Sequence, residues 1–373
     1  MEKQIKKVAM YIDIMYHGGA QRVMANLAEY FDKQGVKVLL INDFKPKENV
    51  LVYDVPQSVE RIYLREKLDG NPVLKNIERM KNLRSILKKE QPDIVLSFLG
   101  SPNMRMLMSA QGLKCKKIVS VRNDPNREYA ASGVKKWLIR QIFKTADGCV
   151  FQTHEAAAYF PESVQKRAEI IMNPVGDVFY ETARKAECHN VITVGRFAPQ
   201  KNHKLLINAF AQIADQFPEE NLIIYGEATE SKGAARKELE DLIQEKNLTG
   251  RVLLPGDTKA VAEKLSECKV FVLSSDYEGM PNALLEAMTV GAPVVSTNCP
   301  CGGPKEVIRN QENGVLVPCG DVNQLAAAIS GLLQDEAHAE QMGKAAKATT
   351  LQFRPEEVYN QWHRYFLKVL NEQ

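Results

Sequence analysis

Residues 270–288 read VFVLSSDYEGMPNALLEAM and contain one complete structural repeat. An apolar strand, Val270 to Leu273, runs into a polar loop, and Pro281 suits the first turn of the helix that follows. From Ala283 to Met288 the helical part is apolar except for Glu286, a carboxylate among residues that otherwise predict burial. A strand that passes through a short loop into a helix is the repeating unit of a parallel α/β sheet.

The same alternation recurs along the chain. In the first half it predicts strands at 7–14, 38–41, 94–98, 118–121 and 149–151, and helices at 20–31, 77–87 and 135–143. In the second half it predicts strands at 191–194, 222–225, 252–254, 270–273, 294–296 and 315–317, and helices at 205–217, 236–246, 261–268, 281–290 and 322–333. We therefore expect an α/β protein with two Rossmann-like doubly wound domains facing a central cleft.

The length of 373 residues predicts two domains, each large enough for its own core. A run of turn-forming residues, 172–177, separates the two series of strands. We expect an N-terminal domain at 1–180, a second domain at 181–354 and a separate helix at 355–373. That helix carries an apolar stripe that includes Trp362 and Phe366, so we expect it to cross back to the first domain.

The composition is that of an ordinary globular protein, with 45% hydrophobic and 25% charged residues. Seven scattered cysteines predict no disulfide framework, and no apolar run has the length of a bilayer crossing or of a signal-peptide core. We expect a cytoplasmic protein. The net charge of +3 divides unevenly, with +10 on residues 1–175 and −7 on the remainder, so the first half suits an anionic partner or a solvated basic surface.

Glu278 and Glu286 are the strongest candidates for a binding site. Glu278 and Gly279 fall in the loop at the carboxyl end of a strand, and Glu286 falls one to two turns along the next helix. At the start of that helix Pro281 has no N–H, but Met280, Asn282 and Ala283 offer backbone N–H groups to phosphate oxygens, while carboxylates suit sugar hydroxyls. A sugar nucleotide carries both kinds of group.

Two further loops have the residue types of a phosphate site. Arg196 and Lys201 follow the strand 191–194, and two cations at a strand's carboxyl end suit a diphosphate. Gly18 and Gly19 lack side chains where a helix begins, so their backbone can approach a phosphate, and His17 stands beside them. The spacing is not the G-x-G-x-x-G of a dinucleotide site, which argues against a dehydrogenase. The chain has no P-loop, H-E-x-x-H or CxxC motif, and we predict no metal and no cofactor.

Together these motifs resemble the retaining glycosyltransferases of family four, which have the GT-B arrangement of two Rossmann-like domains. The resemblance is carried by EGMPNALLEAM at 278–288, GRFAPQKN at 195–202, GGAQR at 18–22 and CGGPKEVIRNQENGVLVPCGD at 301–321. It implies that the second domain binds a nucleotide sugar and the first an acceptor. The implied donor contacts are Arg196 and Lys201 with the diphosphate, Glu278 with sugar hydroxyls, Glu286 with the ribose, Gly18 and Gly19 with the phosphates, and Gly226 and Leu254 beside the base.

The chain departs from the family after the strand 118–121. Many relatives carry a histidine there, where this chain reads Arg122-Asn123-Asp124. We expect one of these three residues, with His17, to position the acceptor. Together with SFLGSPN at 97–103 and CGGPKEVI at 301–308, the RNDP motif at 122–125 resembles the branch that extends bacterial surface polysaccharides or lipid-linked oligosaccharides.

The resemblance implies a retaining, metal-independent glycosyltransferase. It would move a hexose or N-acetylhexosamine from a UDP-sugar to a lipid-linked saccharide or polysaccharide precursor, with Glu278, Arg196 and Lys201 as the catalytic residues. Attack from the leaving-group side is favoured, because no further carboxylate is placed for a covalent intermediate. The alternatives are a UDP-sugar epimerase of the same architecture, a non-catalytic sugar or lipid-head binding protein and, last, a nucleic-acid-binding protein.

The basic first half predicts peripheral binding to an anionic membrane surface, at the inner face of the cell membrane. The cations expected there are Lys75, Arg79, Lys81, Arg84, Lys88, Lys89, Lys114, Lys116, Lys117, Lys135, Lys136, Arg140 and Lys144.

Overall fold

The computed structural model describes residues 3–16, 18–46, 53–65, 71–129, 132–227 and 233–372, and the chain divides into two compact units. The first unit consists of Met1–Pro174 and Glu356–Gln373, and the second of Val175–Pro355. Each unit has its own parallel sheet and its own hydrophobic core.

A seven-stranded parallel sheet forms the centre of the first unit in the described part of the chain, in the order β3-β2-β1-β4-β5-β6-β7. Its strands are β1 (Lys7–Tyr11), β2 (Lys37–Phe44), β3 (Glu60–Arg65), β4 (Ile94–Phe98), β5 (Lys116–Val121), β6 (Gly148–Phe151) and β7 (Ala168–Ile170). Strands β2 and β3 follow β1 on one side of the sheet, and β4 to β7 follow on the other side. The strand order therefore reverses between β1 and β4, and their carboxyl ends form a topological switch point.

The helices of the first unit alternate with these strands. They are α1 (Gly19–Lys33), α2 (Pro72–Glu90), α3 (Gly100–Ser109), α4 (Pro125–Glu128), α5 (Gly133–Phe143), α6 (His154–Ala158) and α7 (Glu162–Gln165). In α1 the buried residues include Val23, Leu27, Ala28 and Phe31, the stripe that the helical spacing predicts. Helix α3 lies beside α2 on one side and beside α5 on the other.

The last helix of the chain, which we number α16 (Pro355–Asn371), packs in the core of the first unit. Trp362 and Phe366 are fully buried, and the ring of Phe366 stacks on Phe31 with centroids 5.0 Å apart. The hydroxyl of Tyr365 lies 2.8 Å from the backbone nitrogen of Cys149 and 2.6 Å from the carbonyl oxygen of Arg167. These contacts bury the apolar stripe of the helix and satisfy backbone groups at the sheet edge.

The second unit has a six-stranded parallel sheet in the order β10-β9-β8-β11-β12-β13. Its strands are β8 (Asn190–Val194), β9 (Asn221–Tyr225), β10 (Val252–Gly256), β11 (Cys268–Leu273), β12 (Val294–Thr297) and β13 (Val315–Val317). Its helices are α8 (Asp177–Glu181), α9 (His203–Ile213), α10 (Ala234–Glu245), α11 (Val261–Ser266), α12 (Asn282–Val290), α13 (Gly303–Val307), α14 (Val322–Gln334) and α15 (Glu336–Thr350), with 3-10 turns at Pro199–Lys201 and Leu351–Phe353.

Strand β8 pairs with β9 on one side and with β11 on the other, so β8 and β11 form the switch point of the second sheet. The loops that follow them therefore leave neighbouring positions on the same edge. These loops, 195–202 and 274–281, are the two that carry the strongest sequence motifs. The predicted fold class is confirmed in that both units are Rossmann-like parallel α/β domains.

Candidate active site

Hydrogen bonds join the loop after β8 to the loop after β11. The backbone N–H of Asp276 donates to the carbonyl of Gln200 at 2.9 Å, and the Gln200 side chain donates to the carbonyl of Tyr277 at 2.9 Å. The Ser274 hydroxyl donates to the carbonyl of Lys201, also at 2.9 Å. Asn202, in a left-handed conformation at the start of α9, donates to the Asp276 carboxylate at 2.7 Å. The two loops thus form one hydrogen-bonded assembly.

Glu278 and Lys201 meet within this assembly. The Nζ atom of Lys201 lies 2.6 Å from Oε1 of Glu278, and only 16% and 8% of their side-chain surfaces are exposed. The Ser275 hydroxyl donates to the same carboxylate oxygen at 2.7 Å, and Gln200 approaches the other oxygen at 3.4 Å. An ammonium group has three N–H donors, so the contact with Glu278 uses one of them. The pair is a charged, oriented group at the carboxyl edge of the second sheet.

The loop after β12 supports Glu278 from its backbone side. The N–H of Glu278 donates to the carbonyl of Pro300 at 3.1 Å. The carbonyl of Gly279 packs so closely on Gly303 that a Cβ added to Gly303 would lie 1.7 Å from its oxygen. No side chain larger than hydrogen fits at Gly303 unless the loop that carries Glu278 shifts.

Gly226 makes a similar approach on the other side of β8. Its φ of +153° is unfavourable for residues with a side chain, and an added Cβ would lie 2.0 Å from the carbonyl oxygen of Gly195. The N–H of Gly226 donates to the carbonyl of Gly256 at 3.0 Å. Gly226 therefore holds the end of β9 against the loop that carries Arg196.

His203, at the start of α9, supports the same loop from inside the protein. Its Nε2 lies 3.3 Å from the carbonyl oxygen of Gly195 and 3.2 Å from that of Arg196. Burial lowers the pKa of His203 to about 4, so the ring is neutral at pH 7. Since both neighbouring atoms are acceptors, Nε2 carries the proton and Nδ1 is the bare nitrogen.

The other predicted donor residues lie at or near this edge. Arg196 is exposed in the loop after β8, and Gly279, Met280 and Pro281 are buried at the start of α12, where Asn282 is the first helical residue. Glu286 lies on the same helix and is buried. Leu254 lies within β10, partly packed against the core, and its carbonyl accepts a hydrogen bond from Arg236.

In the first unit, Gly18 precedes α1, and its carbonyl accepts the N–H of Arg22 at 3.0 Å. Gly19, the first residue of α1, is exposed. The first N–H groups of a helix have no acceptor within it, and the phosphate contact expected at this turn stays a prediction. His17 lies outside the described residues.

The three residues that replace the family histidine follow β5. Arg122 is buried, with its guanidinium 5.0 Å from the centre of the Phe98 ring, and it donates to the side chain of Asn173. Burial lowers its pKa to about 9. The Asn123 side chain accepts the N–H of Asp124 at 2.9 Å, and buried Asp124 caps α4 by accepting the N–H of Asn126 at 2.9 Å.

Sequence reasoning did not identify Glu128, which lies beside these residues. Its Oε1 accepts the N–H of Gly100 at 2.5 Å, at the start of α3, and its Oε2 is buried without a hydrogen-bond partner among the described residues. Burial raises the pKa of Glu128 to about 7, although the Gly100 N–H and the charge of Arg122 act in the opposite direction. Ser275, His203 and Gly303 were also missed, because their roles come from contacts between loops that are distant in sequence.

Two family models match the chain. The model described as Glycosyltransferase Family 4 matches residues 17–177, and the one described as Glycosyl transferases group 1 matches residues 181–349. The chain belongs to glycosyltransferase family 4. This glycosyltransferase is 26% identical over 350 residues to the N-acetylgalactosamine-N,N'-diacetylbacillosaminyl-diphospho-undecaprenol 4-alpha-N-acetylgalactosaminyltransferase of Campylobacter jejuni, covering 89% of this chain and 91% of the relative.

A second Campylobacter jejuni relative is 26% identical over 373 residues, covering 98% of this chain and 99% of the relative. It is named as a GalNAc-alpha-(1->4)-GalNAc-alpha-(1->3)-diNAcBac-PP-undecaprenol alpha-1,4-N-acetyl-D-galactosaminyltransferase. Both relatives are glycosyltransferases, so the predicted enzyme class is confirmed.

Solved structures support the GT-B fold of this glycosyltransferase. The chain is similar to sucrose-phosphate synthase from Thermosynechococcus elongatus, with a TM-score of 0.81 and 21% identity over 96% of this chain and 98% of that one. It is also similar to HepE from Anabaena in complex with UDP, with a TM-score of 0.80 and 17% identity over 96% and 99% of the chains. Within the described ranges, no helix is both long and apolar enough to span a bilayer.

Proposed function

We propose that this glycosyltransferase moves a hexose or N-acetylhexosamine, with retention of configuration, from a UDP-sugar to a lipid-linked saccharide or polysaccharide precursor. The observation that carries the proposal is the buried pair of Glu278 and Lys201 at the switch point of the second sheet. It puts a hydrogen-bond acceptor for sugar hydroxyls and a cation for phosphate oxygens within one small region. Similarity to a UDP complex supports UDP as the nucleotide.

In this proposal the second domain, residues 181–354, binds the donor. Glu278 accepts hydrogen bonds from the donor sugar, Glu286 from the ribose, and Arg196 and Lys201 contact the diphosphate. The start of α12, around Gly279 and Pro281, directs the backbone N–H groups of Met280, Asn282 and Ala283 at phosphate oxygens. Gly226 and Leu254 flank the base, and Gly18 and Gly19 give further phosphate contacts.

The reaction needs one proton transfer and one exchange of bonds at the anomeric carbon. The acceptor oxygen forms a bond to that carbon on the face from which the bond to the phosphate oxygen breaks. The acceptor's proton passes to the departing phosphate, which leaves as UDP. Arg196, Lys201 and the α12 N–H groups stabilise the negative charge on that phosphate, so the step requires no metal ion.

The first domain, residues 1–180, would bind the acceptor. Both relatives from Campylobacter jejuni are named for transfer to saccharides on diphospho-undecaprenol, which favours a lipid-linked acceptor here. His17, Arg122, Asn123 and Asp124 are the predicted acceptor-positioning residues. Asp124 caps α4, and Asn123 accepts the N–H of Asp124. Arg122 retains two buried nitrogens without hydrogen-bond partners among the described residues.

We also propose that the first domain binds an anionic membrane at the inner face of the cell membrane. The set of predicted membrane-facing cations needs correction, because several bind other groups of the protein. Arg79 lies 3.4 Å from Asp43, Lys117 lies 2.8 Å from Asp147, and Lys116 donates to the carbonyl of Glu372. The exposed cations that remain are Lys81, Lys88, Lys89, Lys114, Lys135 and Lys144. Each well-placed cation contributes about 1 kcal/mol at an anionic surface.

A thermal-shift panel with UDP, GDP, ADP and several UDP-sugars, each with and without EDTA, tests the donor. A ligand at about 100 times its Kd adds about 2.7 kcal/mol to stability, a rise of a few degrees in Tm. We expect a rise with UDP-sugars that EDTA does not remove. A UDP-sugar that is consumed without acceptor and without UDP release would indicate the epimerase alternative, and binding without turnover in the presence of lipid-linked acceptors would indicate a binding protein.

A further inference from the structure

Large apolar side chains are exposed at ten positions in the described part of the chain, and seven of the ten lie on three neighbouring helices. The seven are Val73, Leu74 and Ile77 on α2, Met108 on α3, and Val134, Trp137 and Leu138 on α5. Scattered exposed apolar residues are normal on a protein surface, whereas a cluster marks a site of contact with another molecule.

The members of the cluster are close together in the first unit. Six of the seven are in the first two turns of α2 and α5, and both of these helices contact α3. A cavity of about 430 Å³ lies between these helices. Its apolar lining comes from Met80, Met104, Met108, Tyr129 and Ile139. Its polar lining comes from Asn76, Ser101, Arg105, Glu128 and Lys135, of which Arg105 is paired with Asp43 at 2.9 Å. The volume is within the usual range for a small-molecule or single-chain ligand, roughly 300–1,000 Å³.

The charges around the cluster have one predominant sign. Helix α5 carries Lys135, Lys136 and Arg140 and no carboxylate. On α2, Lys81 is exposed one turn after Ile77, and Lys88 and Lys89 are exposed in the last turn of the helix. The two carboxylates of α2 are paired, Glu78 with Arg65 at 3.1 Å and Glu90 with Lys7 at 3.3 Å. Apolar side chains next to lysines are the composition of helices that lie in the surface of an anionic bilayer. A protein partner of neutral or basic surface would not complement this charge.

We propose that the first turns of α2 and α5 insert into an anionic bilayer and that the cavity beside α3 receives a hydrocarbon chain of a membrane lipid. The inference rests on the proposed function, since a lipid-linked acceptor is then presented to the first domain from the membrane that these helices enter. Trp137, with 58% of its surface exposed, is the largest of the inserted side chains. In this proposal, burial of apolar side chains in the bilayer adds to the attraction between the lysines and the anionic lipids.

Tryptophan emission of the full-length protein tests the insertion directly. The chain has two tryptophans, and the other, Trp362, is fully buried in the core of the first unit. Vesicles of phosphatidylcholine and phosphatidylglycerol at 3:1 are expected to shift the emission to shorter wavelength, and bromine-labelled lipid to quench it. A Trp137→Phe variant should show neither effect. A second variant, Trp137→Phe with Met108→Trp, places a tryptophan at the cavity, and the same brominated lipid should quench it.

Matched substitutions test whether vesicle binding depends on this cluster or on any exposed apolar residue. Leu74→Ser with Leu138→Ser should reduce binding to the 3:1 vesicles at least tenfold, while Val178→Ser with Leu351→Ser, two equally exposed apolar residues of the second unit, should not. Flotation that is abolished by 1 M NaCl, with no emission shift and no quenching, would overturn the insertion, because salt screens surface charges but not apolar burial.

The thermal shift caused by UDP-sugars distinguishes a failure of the lipid surface from a failure of the proposed glycosyltransferase activity. If the shift persists in the Leu74→Ser/Leu138→Ser variant and Trp137 gives no response to lipid, the lipid surface is wrong and the proposed activity stands. If Trp137 responds to lipid but no nucleotide sugar binds, the proposed activity is wrong and the lipid surface stands.

Discussion

Nζ of Lys201 lies 2.6 Å from Oε1 of Glu278, although 77 residues separate them in the chain. Lys201 follows β8 and Glu278 follows β11, and these strands are neighbours in the sheet. The pair is therefore a direct product of the topology. Its burial and its hydrogen bond from Ser275 hold both side chains in place before any ligand binds, which lowers the entropic cost of binding.

Lys201→Met is expected to destabilise the second domain by about 2–4 kcal/mol, because the carboxylate of Glu278 is left buried without its cation. Adding Glu278→Gln should recover part of this loss, so the two effects are not additive. Urea unfolding of the two single variants and the double variant measures the coupling. The exposed pair of Lys204 and Glu238, 2.7 Å apart, is the control and should show a coupling below about 1 kcal/mol.

Gly303→Ala should weaken UDP-sugar binding, because the added methyl displaces the Gly279 carbonyl and with it the loop of Glu278. The stability cost is expected to be about 1–3 kcal/mol, the usual range for forcing extra volume into a packed site. Gly331→Ala is the control: no atom lies within 4 Å of the added Cβ, and in the interior of α14 alanine should stabilise by roughly 0.5–1 kcal/mol. Equal binding of UDP-sugar by Gly303→Ala and the natural protein would contradict the role given to this contact.

His203 is expected to make the stability of the second domain depend on pH. Its pKa is about 4 in the folded protein and 6.5 in the unfolded chain, so below pH 6.5 the unfolded state binds more protons. Stability should therefore fall as the pH decreases from 6.5 to 4, by about 2 kcal/mol between pH 7 and pH 5. Urea unfolding at the two pH values measures this slope. His203→Gln should reduce the slope, and a slope unchanged by the substitution would show that other groups cause it.

Glu128 should have the opposite dependence in the first domain. Its pKa is about 7 in the folded protein against 4.5 in the unfolded chain, so the folded state holds the proton more tightly. Its contribution to stability is present below pH 4.5 and is lost as the pH rises through 7. Glu128→Gln, which preserves an acceptor for the Gly100 N–H, should stabilise the protein at pH 8 by between about 1 and 3 kcal/mol and change little at pH 4.5. Urea unfolding at both pH values measures the effect. An equal gain in stability at pH 8 and pH 4.5 would contradict the raised pKa of Glu128.

Much of the fold could be predicted because buried parallel strands are continuous apolar runs. The predicted strands 94–98 and 315–317 have the bounds of β4 and β13. Strand β3 was missed, because ERIYLR at Glu60–Arg65 is half-exposed at the edge of its sheet and lacks a continuous apolar run. Helix α15 was also missed, since its residues are largely alanine and charged residues with few large apolar side chains.

Helix α3 shows a different limit of sequence reasoning. Its glycine, proline and methionines at spacing two follow neither the helical nor the strand period, so no helix was predicted at 100–109. In the structure Met106 is fully buried, whereas Met108 is 46% exposed. The loops that carry Glu278 and Lys201 could be predicted, because each motif places a charged residue directly after a buried strand. The site was not predictable where a small residue matters only through a distant neighbour, as with Gly303 beneath Gly279.

Acceptor-dependent release of UDP tests the central claim most directly. The purified enzyme is incubated in EDTA with the UDP-sugar that raises its Tm most and with a lipid-linked saccharide extract, and the anomeric configuration of the new linkage is read by NMR. The account predicts UDP release that requires the acceptor, a product with the anomeric configuration of the donor, and a loss of at least tenfold in kcat/KM for Glu278→Gln. Glu278→Gln within threefold of the natural enzyme, or an inverted product, would contradict it.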